Sequence, residues 1–591
     1  MTDMKPEMKK QHAQRSSIWR LIPYLRPQLG LLLISLVLVI IVNAAELAQP
    51  FIVQIIIDKY LKLGQMAETL QPIITLSLFY LGSVAIASIL QILQSYLMAK
   101  MGQNTLMEIR RQVFRHILHM PMRILDRYSS GRLITRATND VETLNELFAE
   151  VIVNLFRDIF LLIGIATMML ILNWQMALIA FVTTPLIALV TVLIRTKLRR
   201  NFIVMKQLIG QINGFFAENI AGMRLVQIFN REAAKHREFD QLNTDYCDKT
   251  LVQIRLNSLM RPLMEVINNL GIVLLIWFGL RGMTGGTLQI GVLYAFTAYI
   301  RRFFEPINDL AEKYSSIQSA AVSADRIFEL LDKRDDLEDL QAGDPMPPLQ
   351  GRVEFRNVWF AYEEEQWVLR DVSFVMNPGE SAAIVGATGA GKSTIISLML
   401  RFYDIQKGSI LLDGRDIREF KIVELRRQVA IVLQDVFLFS GSIAENIRLG
   451  DEQIDDEQVA EALKLSYADE FINRLSKQMA THVTERGSTF SAGQRQLLSF
   501  ARAIARRPSI FILDEATANI DTETEQLIQQ SIAQVTARCT TIIIAHRLST
   551  IRHSDQILVM ADGRLVEIGD HDTLLRHNGR YAELYRAQFA D

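Results

Sequence analysis

The chain has 591 residues, half of them hydrophobic, with a mean hydropathy of +0.18 and a formal net charge of −1. That length exceeds what one hydrophobic core organises, so at least two domains are expected. The charge balance gives no reason to expect a nucleic-acid partner, and the two distant cysteines, Cys247 and Cys539, imply neither a disulfide framework nor a metal site.

Residues 1–28 form a polar, basic tail that ends in Ile18–Gln28, where aromatics, leucines and arginines mix as in a short helix lying at a membrane surface. Apolar runs of spanning length then begin. Six are expected, at roughly 29–50, 70–98, 149–173, 175–195, 263–282 and 287–310. The first is long and has no clean small-residue cleavage site, so it reads as an uncleaved span. Lys and Arg crowd the connections Lys100–Arg136 and Arg195–Arg261, whereas those near 51–69, 173–174 and 283–286 are short and nearly free of them. By the positive-inside rule the two basic connections, both termini and the second half of the chain lie in the cytoplasm.

The basic connections are too regular for loops. Leu106, Ile109, Val113 and Ile117 recur at helical spacing, and Val204–Phe229 behaves likewise. Spans two to five are therefore expected to continue as helices into the cytoplasm, each pair ending in a short crosswise segment near Met122–Tyr128 and Arg224–Asn230. A separate soluble helical insertion is the alternative, but no Gly/Pro-rich linkers bracket one. Polar groups within the spans are Asn43, Glu46, Arg157, Asp158, Asn268, Asn269, Arg301 and Arg302. Contact with neighbouring helices is the plainer reading for them, ahead of contact with a transported solute. The charged run Asp332–Asp339 and Pro345, Pro347 and Pro348 mark 326–350 as a linker, closing a membrane domain at 29–325.

From 351 to 591 short strands alternate with helices, an α/β pattern. Tyr362, near the end of the first strand, offers a flat face for a base or for the core. The strand Ser381–Val385 then runs into Gly386-Ala387-Thr388-Gly389-Ala390-Gly391-Lys392-Ser393, and a helix opens at Thr394. This fits the phosphate-cradling G-x-x-x-x-G-K-[ST] loop in the strand–helix setting that it needs. Lys392 would reach the β- and γ-phosphates of ATP and the Ser393 hydroxyl would ligate Mg²⁺. Gln434 follows the strand Val429–Leu433, a neutral side chain suited to Mg²⁺ or to the attacking water. Ser491-Ala492-Gly493-Gln494 opens a helical run, a second anion-binding terminus that a self-contained site does not need. The strand Ile510–Leu513 delivers Asp514, placed to hold Mg²⁺ through water, and Glu515, placed as general base. Thr541–Ala545 delivers His546, which could bond the γ-phosphate and hold the water. Each of these has a structural reading when taken alone; together they form a constellation around one phosphate loop.

With these motifs in order, the chain resembles an ATP-binding cassette (ABC) exporter half-transporter from about Ile18 to its end. The resemblance implies an all-α polytopic membrane domain of the type IV exporter fold followed by an α/β P-loop NTPase. In it Gly386–Ser393 matches Walker A, Gln434 the Q-loop, Ile510–Asp514 with Glu515 the Walker B strand and catalytic glutamate, and His546 the switch histidine. Ala518–Asp521 matches the D-loop, which assigns Asp521, Tyr362 matches the aromatic A-loop, and Thr484–Gly487 is similar to an exporter-specific stretch. The usual Leu-Ser-Gly-Gly-Gln signature is replaced by Phe490-Ser-Ala-Gly-Gln494, which is expected to be functional. The wording around it is similar to the catalytically complete half of bacterial heterodimeric multidrug exporters, the MdlB-like group.

The resemblance further implies pairing with a second half-transporter, a heterodimer favoured over a homodimer, with each ATP clamped between one chain's Walker A and the other's signature. It implies export of hydrophobic or amphipathic compounds across a bacterial inner membrane, in contact with membrane lipid. A lipid flippase and an ATP-gated non-transporting module are the alternatives.

Overall fold

The computed structural model describes residues 18–61, 66–284, 288–333, 347–363, 365–514, 522–544 and 551–589. The chain divides into two compact units. One comprises residues 1–119 and 128–333, the other residues 120–127 and 334–591.

The first unit is helical. Its helices are α1 (Leu29–Ile55), α2 (Met66–Leu118), α4 (Ser130–Leu172), α5 (Trp174–Ala221), α6 (Met223–Ile228), α7 (Glu232–Thr284) and α8 (Ile290–Leu331), while the short α3 (Met122–Leu125) belongs to the second unit. Among the described residues five helices, those of α1, α2, α4, α5 and α7, are long and apolar enough to cross a membrane. The helices α2 and α7 each run unbroken for 53 residues. At 1.5 Å per residue that is about 80 Å, against a hydrocarbon layer of about 30 Å, so both must continue well beyond the lipid. Exposed Leu78, Phe79, Ile89 and Ile92 on α2 suit a lipid solvent rather than water.

The sixth expected span falls in α8, which is not among the five because Arg301, Arg302 and Glu305 interrupt its apolar stretch. Two polar groups of α8 dock on α1. The Arg302 guanidinium donates to the Glu46 carbonyl (2.8 Å) and to Gln49 Oε1 (2.9 Å), and the Tyr299 hydroxyl donates to the Leu47 carbonyl (2.6 Å). Asn43 donates to the Arg157 carbonyl at 3.0 Å, and fully buried Asp158 pairs with Lys313 of α8. These intramembrane polar groups thus serve helix–helix contacts. The first residues of the expected linker are helical, since α8 runs on to Leu331. Ala324, Ile327, Phe328 and Leu330 are buried there at helical spacing. Residues 334–346 of the linker lie outside the described residues.

The second unit is built on two main sheets. Strands β1 (Val353–Ala361), β2 (Trp367–Met376), β4 (Lys407–Leu412) and β5 (Arg415–Asp416) form an antiparallel sheet in the order β2-β1-β4-β5. The larger sheet takes β3 (Ser381–Gly386), β6 (Val429–Val432), β7 (Ile510–Asp514), β8 (Thr540–Ile544), β9 (Gln556–Ala561) and β10 (Arg564–Gly569) in the order β10-β9-β3-β8-β7-β6. All its pairings are parallel except β9–β10. Parallel strands need both faces covered, and β3, β7 and β8 read accordingly as continuous buried runs. The helices that matter below are α9 (Lys392–Met399), α10 (Ile443–Arg448), α11 (Asp456–Leu465), α12 (Ala492–Ala505) and α13 (Thr522–Thr536).

Candidate functional site

Strand register decides what meets at the phosphate loop. Ile544 stands opposite both Ile384 and Asp514, and Val432 stands opposite Leu513. The C-terminal ends of β3, β8, β7 and β6 therefore share one edge, where ligands of open parallel sheets bind. From that edge project the loop after β3, Asp514 at the tip of β7, and Gln434 just beyond β6. They enclose a cavity of about 420 Å³ lined by Thr388, Gly389, Gly391, Lys392, Ser393, Thr394, Gln434 and Asp514.

The loop folds as its glycines dictate. Gly386 has φ +153°, and a Cβ there would stand 2.3 Å from the Met560 carbonyl of β9. Gly391, at the start of α9, has φ +97°, and a Cβ there would meet Leu369 at 2.7 Å. Both close approaches need a residue without a side chain. The Lys392 ammonium donates to the carbonyls of Gly386 (2.7 Å) and Ala387 (3.1 Å), so it lies folded along the inside of the loop. Ala390 of the loop is buried. Ser393, Gln434 and Asp514 give the cavity a hydroxyl, an amide and a carboxylate, a set of hard oxygen donors that fits Mg²⁺.

Tyr362 follows β1 directly and is 41% exposed. Its hydroxyl lies 3.2 Å from Thr394 Oγ1, which ties the ring to the first turn of α9. The ring meets Phe360 and Tyr403 edge to face, at centroid distances of 4.8 and 5.0 Å. The Tyr403 hydroxyl in turn donates to Asp126, in the segment of residues 120–127 that belongs to this unit. Burial, reinforced by that carboxylate, raises the Tyr403 phenol above its ordinary range.

Ser491, Gly493 and Gln494 do not line the cavity. They begin α12 with a complete capping box. Ser491 Oγ accepts the Gln494 N–H (3.2 Å), and Gln494 Oε1 accepts the Ser491 N–H (3.0 Å). Glu515, Asp521 and His546 lie outside the described residues, although β7 ends immediately before Glu515 and β8 ends at Ile544.

Two contributors escape a motif-based reading. Tyr403 sits in an unremarkable Arg-Phe-Tyr-Asp run, and only the fold sets it between Tyr362 and Asp126. Arg502, on α12, donates to the carbonyls of Asn446 (2.8 Å) and Phe437 (3.0 Å) and to Asn446 Oδ1 (3.2 Å). It thereby pins the loop that follows Gln434 to the helix that begins at Ser491. Burial pulls its pKa down to about 10, so it still carries its charge at neutral pH.

Comparison with known proteins agrees with this geometry. Residues 32–307 match the family of the ABC transporter transmembrane region and residues 369–518 match the ABC transporter family. The chain is 41% identical, over 86% of its length and 76% of the relative's, to the probable multidrug resistance ABC transporter ATP-binding/permease protein YheH of Bacillus subtilis. It is 33% identical to the ATP-dependent lipid A-core flippase of Legionella pneumophila over 96% of both chains. In structure it is similar to a bacterial Atm1-family ABC exporter with ATP bound, with a TM-score of 0.78 at 29% identity, covering 96% of this chain and 99% of the other.

Proposed function

The chain belongs to the ABC transporters as an exporter half-transporter, a membrane domain fused to one ATP-hydrolysing cassette, and from that premise we propose that it expels hydrophobic or amphipathic compounds of the multidrug kind across a bacterial inner membrane. The observation that carries the reading is the convergence of the phosphate loop, Gln434 and Asp514 on one cavity at the edge of a parallel sheet. There Lys392 leaves the Gly386 and Ala387 carbonyls for the β- and γ-phosphates, while Ser393, Gln434 and Asp514 hold Mg²⁺. When bound, the ion neutralises charge that builds up on the phosphate oxygens. Tyr362 stacks on the adenine. Glu515, one residue past Asp514, takes a proton from the attacking water, and His546 orients that water.

Ser491, Gly493, Gln494 and Asp521 serve the ATP held by a second half-transporter. Supporting this, the described three do not line their own chain's cavity and instead open a separate helix. A heterodimer is favoured on the wording of Phe490–Arg502. The membrane domain takes six spans, with α8 supplying the last, and both termini and the cassette lie in the cytoplasm. A lipid flippase is the second reading, favoured by the full-length similarity to the lipid A-core flippase.

The test uses the transporter in lipid nanodiscs and in inside-out vesicles. Glu515→Gln is expected to keep ATP binding and to lower turnover by roughly 10²–10⁴, the usual contribution of a general base. Near-normal ATPase activity would remove Glu515 from that role. ATP-dependent accumulation of a hydrophobic dye supports the multidrug reading, whereas ATPase stimulation by lipid without dye uptake supports the flippase.

A further inference from the structure

Away from the phosphate loop, the second unit holds a cavity of about 250 Å³ between α11 and the C-terminal ends of α12 and α13. Its inner wall is apolar. Half-buried Leu465, Ile504 and Pro508 face it, backed by buried Ala462, Phe511 and Val535. An apolar cavity of about 150 Å³ already admits a benzene ring, so this one has room for one or two fused rings.

The rim is charged and unbalanced. Glu461 on α11 lies 2.7 Å from Arg507 and 3.8 Å from Arg538, so two guanidinium groups share a single carboxylate. Both arginines sit just past helix C-termini, where the helix dipole favours a cation. All three side chains are about half exposed or more, so their ion pairs are weak and an incoming carboxylate can displace Glu461 at little cost. The planar fork of an arginine is matched to that group.

On the proposed function, the two helices that end here begin beside residues that serve the partner's nucleotide. α12 follows its cap Ser491, and α13 follows Asp521 in the chain. An occupant wedged between their C-terminal ends is then expected to act on turnover more than on ATP affinity.

We propose that this cavity is a regulatory site for an aromatic monocarboxylate, its rings against Leu465, Ile504 and Pro508 and its carboxylate on Arg507 and Arg538. The site lies apart from the phosphate loop, sharing no lining residue with the cavity there.

Cys539, in the cavity wall, provides a local readout. Its thiol donates to the Val535 carbonyl, and burial pushes its pKa up to about 11. Exposed Cys247 serves as the internal control. The experiment follows iodoacetamide alkylation of each cysteine by peptide mass, in the full-length transporter in nanodiscs, under mildly alkaline conditions, with 2-naphthoate as probe. Saturable protection of Cys539 by about fivefold or more is expected, with Cys247 unchanged. The uncharged 2-naphthalenemethanol should protect at least about tenfold more weakly, since it lacks both charge-assisted contacts, as should 2-naphthoate with Arg538→Glu, which loses one of them and gains a repelling carboxylate. ATPase turnover should shift with 2-naphthoate at constant KM for ATP, and this shift should vanish in Arg538→Glu. No protection, equal protection by the alcohol, or protection that survives Arg538→Glu would each overturn the proposal. Because the readout is local to Cys539 in the second unit, 2-naphthoate bound in the membrane domain does not shield it.

Discussion

The helices α9 and α12 both open with small residues where phosphate is expected, yet their first turns are built in opposite ways. Gly391 starts α9 at φ +97° and offers no side-chain cap. Ser491 starts α12 in extended conformation, and Ser491 and Gln494 satisfy each other's backbone N–H groups. A helix end without caps is costly unless something else meets its N–H groups. The first end is thus shaped for a ligand held by its own chain, and it is buttressed by buried strands on either side. The second is stable by itself and suits a partner that comes and goes, presenting a finished surface to another chain's nucleotide.

Substitutions at the two ends should therefore fail differently. The largest effect is expected at Gly391. In Gly391→Ala the added Cβ meets the buried Leu369 side chain at 2.7 Å and the Val368 carbonyl at 3.2 Å, on a backbone that already has positive φ. Strain of about 1–3 kcal/mol and overpacking of similar size should weaken ATP binding by roughly a hundredfold or more, readable with a fluorescent ATP analogue. Lys392→Ala comes next. Losing a charge-assisted hydrogen bond, worth about 1.5–3 kcal/mol, should cost roughly 10- to 150-fold in the same titration. Unchanged affinity in either variant would place the phosphates elsewhere and dissolve the contrast.

The same contrast explains what was legible in the sequence. The α9 end was readable because glycines, lysine and strand–helix context lie within one short stretch, and the structure sets Gly386–Ser393 as that spacing demands. The buried strand ends were readable too. Ile510–Leu513 and Ile542–Ile544 are apolar runs of a kind that a covered parallel sheet accommodates. Contacts between distant parts of the chain were not. Nothing local in Arg401-Phe-Tyr403-Asp404 signals that Tyr403 reaches both Tyr362 and Asp126, and nothing local makes Arg502 the pin of the loop after Gln434. Hydropathy located the long helices. It did not foresee that α8, interrupted by Arg301 and Arg302, would lean on carbonyls of α1, because a carbonyl partner leaves no mark in composition.

At the other helix end effects should be smaller and should need the second chain. Ser491→Ala removes the cap that takes the Gln494 N–H, a change of about 1 kcal/mol. ATP affinity of the chain should stay at its original value, while turnover of the paired transporter should fall by about fivefold. Gln494→Glu preserves the acceptor of the capping box, so helix stability should survive in that variant. If Ser491→Ala weakened ATP binding by the chain alone, the terminus would belong to the chain's own site and the comparison would break.

The smallest effect concerns the residue at which the signature departs from its family. Ala492 is exposed in the first turn of α12, with Gly493 buried behind it and the capping box closed around it. Ala492→Gly restores the usual glycine at the cost of helix propensity, at most about 1 kcal/mol and less than that in a first turn. The methyl lies outside both hydrogen bonds of the box, so its removal leaves Ser491 and Gln494 engaged. Turnover in the paired transporter should therefore change by less than about threefold in either direction, with ATP affinity unaltered. A rise of an order of magnitude would mean that the methyl obstructs the partner's phosphate, and that α12 presents its backbone N–H groups, rather than its capped side chains, to the nucleotide across the interface.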